Sequence, residues 1–248
     1  MVSLSGFVHI EAGFNNQQPE KEIAWLESTV DIPFKSIATF DLLAPVDQNK
    51  VLLKKLSQFN SFVGVRHILD DDALTILSDT TATQNFELLN SQQVIFELQV
   101  YLSDSAIMPI LLKTIENNPN INFVVNHAGF PPYFSGAFAD DERNIQWQNW
   151  LSNIKHLAQY GNVWVKCSGW EMTNRQYQTS WVQSVISAIV TVFDATKVML
   201  ASNFPLTLFS TSYEGYWQQT SRLAPHKLSE NLCLNNALLC YGFDKEQI

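Results

Sequence analysis

INFVVNHAG, residues Ile121 to Gly129, drives an apolar run straight into Asn126 and His127 and then breaks at Ala128-Gly129. An imidazole at the end of a buried strand, where the chain turns, is how a parallel α/β protein presents a functional side chain. Two later segments follow the same grammar: NVWVKCSG, from Asn162 to Gly169, ends on Lys166 and Ser168, and KVMLASNFP, from Lys197 to Pro205, ends on Ser202 and Asn203. Working outward, seven β-like runs emerge: Phe7 to Glu11, Ser36 to Leu42, Phe62 to Leu69, Val94 to Tyr101, Ile121 to His127, Val163 to Ser168 and Val198 to Asn203. They are nearly continuous in Val, Ile and Phe, the pattern of parallel strands covered on both faces.

Helical periodicity fills the intervals. Pro19 to Thr29 carries acidic residues in its first turn and turns Ile23, Trp25 and Leu26 toward a core. Asp47 to Phe59 aligns Val51, Leu52, Leu56 and Phe59. A helix capped by Ser103-Asp104 extends through Asn117, with Pro109 kinking it or resetting its start. Trp147 to Tyr160 ends at Gly161, a C′ residue, and Thr179 to Phe193 aligns Val182, Val185, Ile186 and Ile189. Strand then helix at roughly 30-residue spacing predicts stacked βα units. The strands end on His9 and Glu11, Asp41, Arg66 and His67, Glu97 and Gln99, Asn126 and His127, Lys166 and Ser168, and Ser202 and Asn203. A (β/α)8 barrel gathers all such ends on one rim, whereas an open doubly wound sheet gathers only those at its switch point. The even distribution favours the barrel.

At 248 residues and 46% hydrophobic, without a linker, low-complexity block or repeat, the chain is expected to form one domain over residues 1–248. A net charge of -9 with scattered Lys and Arg disfavours nucleic acid or an anionic membrane as partner. No GxGxxG or GxxxxGK[ST] pattern supports a nucleotide. No apolar run approaches a membrane span, and the amino terminus lacks the pattern of a signal peptide. Three cysteines without a CxxC pair fit a reduced, cytoplasmic protein, with Cys167 as a packing residue.

The phrases FVHIEA, GVRHIL, FELQ, FVVNHAGFP, NVWVKCSGW, VMLASNFPL and NNALLCYGF, in that order, resemble the amidohydrolase-2 family of TIM-barrel, metal-dependent hydrolases, and within it the subgroup of sugar-acid and pyrone-dicarboxylate lactonases. The resemblance covers nearly the whole chain. It implies a hydrolase that opens a small lactone or related cyclic ester of a sugar acid or dicarboxylate. Two departures qualify it. The family's first strand carries an HxH motif, but this chain has none, and FVHIEA resembles the second strand, so the expected fold is a TIM-barrel-like (β/α)8 barrel lacking its first strand. The family's last strand ends in Ser-Asp, where this chain has Ser202-Asn203, and an amide neither accepts a proton nor binds a hard cation well.

A catalytic zinc needs about three protein ligands and an open position. His127 alone remains of the family's constellation, so the cofactor expectation is none, or a single divalent metal such as zinc with His127 as ligand. As catalytic residues the reading takes His127 as base or water-orienting group, Lys166 at the developing oxyanion and Asn203 as a hydrogen-bonding group. As substrate-binding residues it takes Arg66, His67, Gln99, Glu11 and Ser202, with Arg66 capturing a carboxylate. The structural alternatives are an ion pair of Arg66 with Asp41 or Glu97, a salt bridge for Lys166, pairing of Glu11 and Glu97 with those cations, and packing for His67, which alternates away from Arg66. Tyr133, Phe134 and Phe138, in the loop after His127, could close over a ring-shaped substrate. The partner expected is a small-molecule substrate, with a homodimer covering the exposed strand edges. The competing expectation is a catalytically degenerate barrel that binds a small molecule or partner without turnover.

Overall fold

Branched and aromatic side chains dominate the strands and decide where each one runs. The computed structural model describes residues 4–134, 141–223 and 229–244. Seven parallel strands, β1 (Phe7–Ile10), β2 (Phe34–Thr39), β3 (Phe62–Ile68), β4 (Ile95–Gln99), β5 (Phe123–Val125), β6 (Val163–Cys167) and β7 (Val198–Leu200), lie side by side in chain order. Between and after them come α1 (Glu20–Thr29), α2 (Val46–Leu56), α3 (Ala73–Ser78), α4 (Thr80–Gln92), α5 (Met108–Asn117), α6 (Asp141–Leu157), α7 (Trp170–Thr173), α8 (Thr179–Val192), α9 (Tyr213–Leu223) and α10 (Asn236–Tyr241). The sheet curls into an incomplete TIM-barrel-like barrel, and no β1–β7 pairing is present among the described residues. No helix among them is long and apolar enough to cross a membrane.

Alternation divides the strand side chains between two environments. Val65, Phe96, Leu98, Phe123, Val125, Val165 and Cys167 join helical residues such as Phe86, Leu111, Trp150 and Val185 in the main core. Ile37, Ile95, Val124, Trp164 and Met199 form a smaller core inside the curl. Cys167 in the main core and Cys240 in the inner one are buried free thiols, pushed up by burial, which fits the packing reading of Cys167.

The inner core is completed by α10. Cys240 and Tyr241 pack into it beside Val8 and Ile10 of β1, Met199 of β7 and Phe243. Asn236 Nδ2 donates to Ala195 O (2.7 Å) and Val198 O (2.6 Å), tying α10 to the start of β7. On the other side Lys35 of β2 lies 6.0 Å from the Phe243 ring. Helix α10 thus spans the floor between the two sheet edges, β1 and β7.

Several sequence expectations are corrected. Trp25 and Val51 are 61% and 59% exposed. Polar residues have taken the inward positions: Glu22 is buried with Ile23 and Leu26, accepting from Ala12 N (2.8 Å) and pairing with His9 (2.5 Å), and Asn49 is buried with Leu53 and Leu56, donating to Asn85 Oδ1 (2.9 Å) and Asp41 O (2.8 Å). Helix α6 stops at Leu157, so Gly161 lies beyond its end. Met108 starts α5 with Pro109 in its first turn, as the reset start predicts, while Asp104 caps a separate short turn through Ala106 N (2.8 Å). The runs ending at His127 and Asn203 stop earlier, at Val125 and Leu200, because both residues have positive φ, which a β ladder does not accept.

Candidate functional site

After β5 the backbone enters a left-handed turn: φ is 52° at His127, 54° at Ala128, 66° at Gly129 and 53° at Phe130. Non-glycine residues held there cost about 1–3 kcal/mol each, so surrounding structure must over-determine them. It does. Trp150 Nε1 in α6 donates to Ala128 O (2.8 Å), Leu102 N to Gly129 O (3.0 Å) and Trp181 Nε1 in α8 to Pro132 O (2.9 Å). The turn aims His127 at β6, where its Nδ1 lies 3.2 Å from Ser168 Oγ and its ring covers the α-carbon of Gly169. Burial, then the charges of Lys166 and Arg66, hold the His127 imidazole down to about 3. It is therefore neutral at ordinary pH, a hydrogen-bonding group with little basicity.

Two cation–carboxylate pairs stand beside it, one buried and one half-buried. In the first, Lys166 Nζ lies 2.6 Å from Glu97 Oε2, with Glu97 fully buried, and Tyr241 Oη donates to the other oxygen at 2.6 Å. Burial keeps the Tyr241 phenol far from ionisation, so it remains a donor. Tyr241 escaped the sequence reading because it contacts Glu97 from 144 positions away, and only its place in NNALLCYGF marks it. Replacing Tyr241 with Phe is expected to cost about 1–3 kcal/mol, the range for a hydrogen bond to a buried charge. Urea denaturation would read this as a lower midpoint with unchanged slope.

In the second pair, Arg66 Nε and Nη2 donate to Glu11 Oε1 at 2.9 and 2.6 Å, and Nη1 reaches Gln99 Oε1 at 3.3 Å. Gln99 Nε2 continues the chain to Asp70 at 3.1 Å. Of the alternatives for Arg66, neither Asp41 nor Glu97 is the partner; Glu11 is. Glu11 and Glu97 each pair with one of the two cations, one of the structural alternatives the sequence leaves open.

The remaining residues divide. His67 lies outside the cluster: its Nδ1 accepts from Leu42 N (3.0 Å) and sits 3.7 Å from Asp41, so it fastens the loop after β2, the structural role among its alternatives. Ser202 Oγ accepts from Phe204 N (3.3 Å), a local turn contact. Asn203 Nδ2 donates to Glu171 Oε1 at 2.6 Å. Glu171, in α7, is a buried carboxylate that the sequence reading passed over, although it stands two residues beyond the SG of NVWVKCSGWE. Burial raises its pKa above the ordinary 4.5, opposed by the Asn203 hydrogen bond. Tyr133 packs edge-on against Trp181 (5.2 Å) and Phe134 against Trp147 (5.3 Å), so both are committed to helices instead of poised as a lid, and Phe138 lies outside the described residues.

The donor set does not suit a catalytic metal. Among the described residues no three of His, Cys, Asp and Glu are grouped to hold one. Glu11 and Glu97 are occupied by cations, Asn203 offers a neutral amide, and His127 is left as a lone imidazole.

A parallel βα barrel with ionic and hydrogen-bonding side chains at the carboxyl ends of its strands has the layout of a TIM-barrel enzyme. The family model described as amidohydrolase matches residues 22–243, and the chain belongs to this amidohydrolase-2 family. It is 25% identical over 232 residues to the uncharacterized protein y4mH of Sinorhizobium fredii, covering 87% of this chain and 72% of that one. Among solved structures, an amidohydrolase from Burkholderia multivorans with bound HEPES superposes with a TM-score of 0.80 at 19% identity, over 97% of this chain and 84% of that one. A second crystal form of that protein contains zinc. A putative 2-pyrone-4,6-dicarboxylic acid hydrolase from Pseudomonas putida gives 0.71 at 18% identity, over 97% and 83%.

Proposed function

We propose that the protein hydrolyses a small lactone or related cyclic ester of a sugar acid or dicarboxylate without a tightly bound metal. The observation that carries this reading is a neutral His127 set among two charge-neutralised pairs at the strand ends of an amidohydrolase-family barrel. Arg66 Nη1, the least committed edge of the guanidinium, and Gln99 offer donors to a substrate carboxylate, while Glu11 holds the rest of the group in place. His127 Nε2 orients the attacking water. Lys166 Nζ stabilises the oxyanion that forms on the carbonyl oxygen. The ring C–O bond breaks, one water proton passes to the ring oxygen, and the product is a hydroxy acid. The pyrone dicarboxylate named for the Pseudomonas relative is a natural first substrate to assay, beside five- and six-membered sugar-acid lactones.

Hydrolysis of at least one of these is expected, with the His127→Ala variant reduced at least about 100-fold in kcat/KM and its circular dichroism unchanged. Undiminished turnover in that variant would remove His127 from the mechanism. Saturable binding across the panel with no hydrolysis would favour the second reading, a degenerate barrel that binds without turnover. The locked ion pairs and the amide at Asn203 are the observations behind that second reading.

A further inference from the structure

Apart from Glu97 Oε2, which Lys166 engages, five buried side-chain polar atoms lack a hydrogen-bond partner among the described residues. Four of them, Asn126 Nδ2, Trp170 Nε1, Glu171 Oε2 and Thr207 Oγ1, come from the consecutive segments that follow β5, β6 and β7. Buried polar groups almost always pair, so orphans concentrated on one side of the rim mark a place where the chain holds its hydrogen-bonding capacity in reserve. Glu171 is the ionisable member. One of its oxygens is engaged by Asn203 and the other is unengaged.

We propose that Glu171 is a positioning residue for the reaction, deciding which end of the Asn203 amide faces the substrate. The inference rests on the hydrolytic reading above. A carboxylate only accepts hydrogen bonds, so ionised Glu171 takes the Nδ2–H of Asn203 and leaves Oδ1 as the free end of the amide. Half-buried Asn203 then offers an acceptor to the O–H of water or of a substrate hydroxyl, as an aspartate at this position would. A protonated Glu171 donates instead, and its partner becomes Oδ1. The amide rotates and presents N–H. No proton passes through Asn203; the titrating group sits behind it.

The surroundings support this division of labour. Asn203 holds φ 53°, and its carbonyl accepts from Thr207 N (3.3 Å), which fixes the origin of its side chain. Tyr177 and Tyr216 face the Glu171 carboxyl; Tyr177 is pushed up to about 12 by burial and by that carboxyl, and burial raises Tyr216 further, so both stay protonated. On the packed elements Arg175, stacked on Phe209, and Glu214 in α9 are exposed, and His127 and Lys166 lie on the strand side. Burial lifts the Glu171 carboxyl above its ordinary value, so the reversal comes at a higher pH than it would for an exposed carboxyl.

The test is an NMR titration of labelled protein that follows the Glu171 carboxyl carbon and the Asn203 side-chain amide together. The expected result is one shared midpoint above 4.5 in the wild type, and loss of the Asn203 response in Glu171→Gln. An amide that ignores pH in the wild type, or that still titrates in Glu171→Gln, would overturn the proposal. The wild-type titration decides alone should the variant not fold. The coupling should persist in His127→Ala, so its failure is distinguishable from failure of the hydrolytic reading.

Discussion

Replacing Lys166 with Met is expected to destabilise the protein by about 3–5 kcal/mol, the cost of leaving a buried charge without its partner. Glu97 is fully buried, and Tyr241 would remain its only described hydrogen-bond donor. One phenol cannot replace an ammonium at 2.6 Å. Combining Lys166→Met with Glu97→Gln should recover much of the stability, since the amide can still accept from Tyr241. Chemical denaturation of the single and double variants checks both expectations. An equal loss in the two would mean that Lys166 contributes through packing of its stem. Hydrolytic activity should not return in the double variant, because Lys166 faces the proposed oxyanion.

Gly169→Ala is expected to be nearly as damaging, through a different mechanism. Gly169 has φ 69°, and an added Cβ would fall 2.3 Å from His127 Nδ1 and 2.6 Å from its Cγ. Strain at that dihedral and overpacking of a buried ring together cost on the order of 2–5 kcal/mol. The imidazole cannot retreat easily, since the turn that carries it is pinned at Ala128 by Trp150 and at Gly129 by Leu102. A displaced His127 misaligns the water, and a shift of about 1 Å is worth roughly 100-fold in rate. Thermal melts and a structure of the variant would separate the two losses. A variant with wild-type melting and wild-type turnover would show that the ring has room to move.

The order of the strands, and the gathering of polar residues where they end, are legible in the sequence because parallel buried strands write continuous apolar runs that stop at polar residues. His127, Lys166, Arg66 and Asn203 were all visible in that way. The pairing was less so. Arg66 reaches back 55 positions to Glu11, across β2, and nothing in local periodicity says which of several carboxylates it prefers. Helices α3 and α4 went unseen because TTATQNFELLNSQ has little hydrophobic contrast; its start depends on Asp79, which accepts from Thr81 N and Ala82 N. Ile23, Leu26, Leu52, Leu56 and Phe59 face the core as their spacing implies, but Trp25 and Val51 do not, and Glu22 and Asn49 look like surface residues until their partners are known. Glu171 and Tyr241 were hidden because each matters through a residue distant in the chain.

The floor built by α10 has a consequence for how the molecule assembles. Every strand of the sheet precedes it in the chain, and the Glu97–Tyr241 contact closes a loop spanning most of the described sequence. Contacts that far apart are slow to form because the entropy of closing the loop is lost before the contact rewards it. The strands can therefore pair, and Lys166 can meet Glu97, while the underside is still open to solvent. Among the described residues it is α10 that covers that underside, so a nascent chain would hold its ionic centre in wet, adjustable form until synthesis has passed Tyr241.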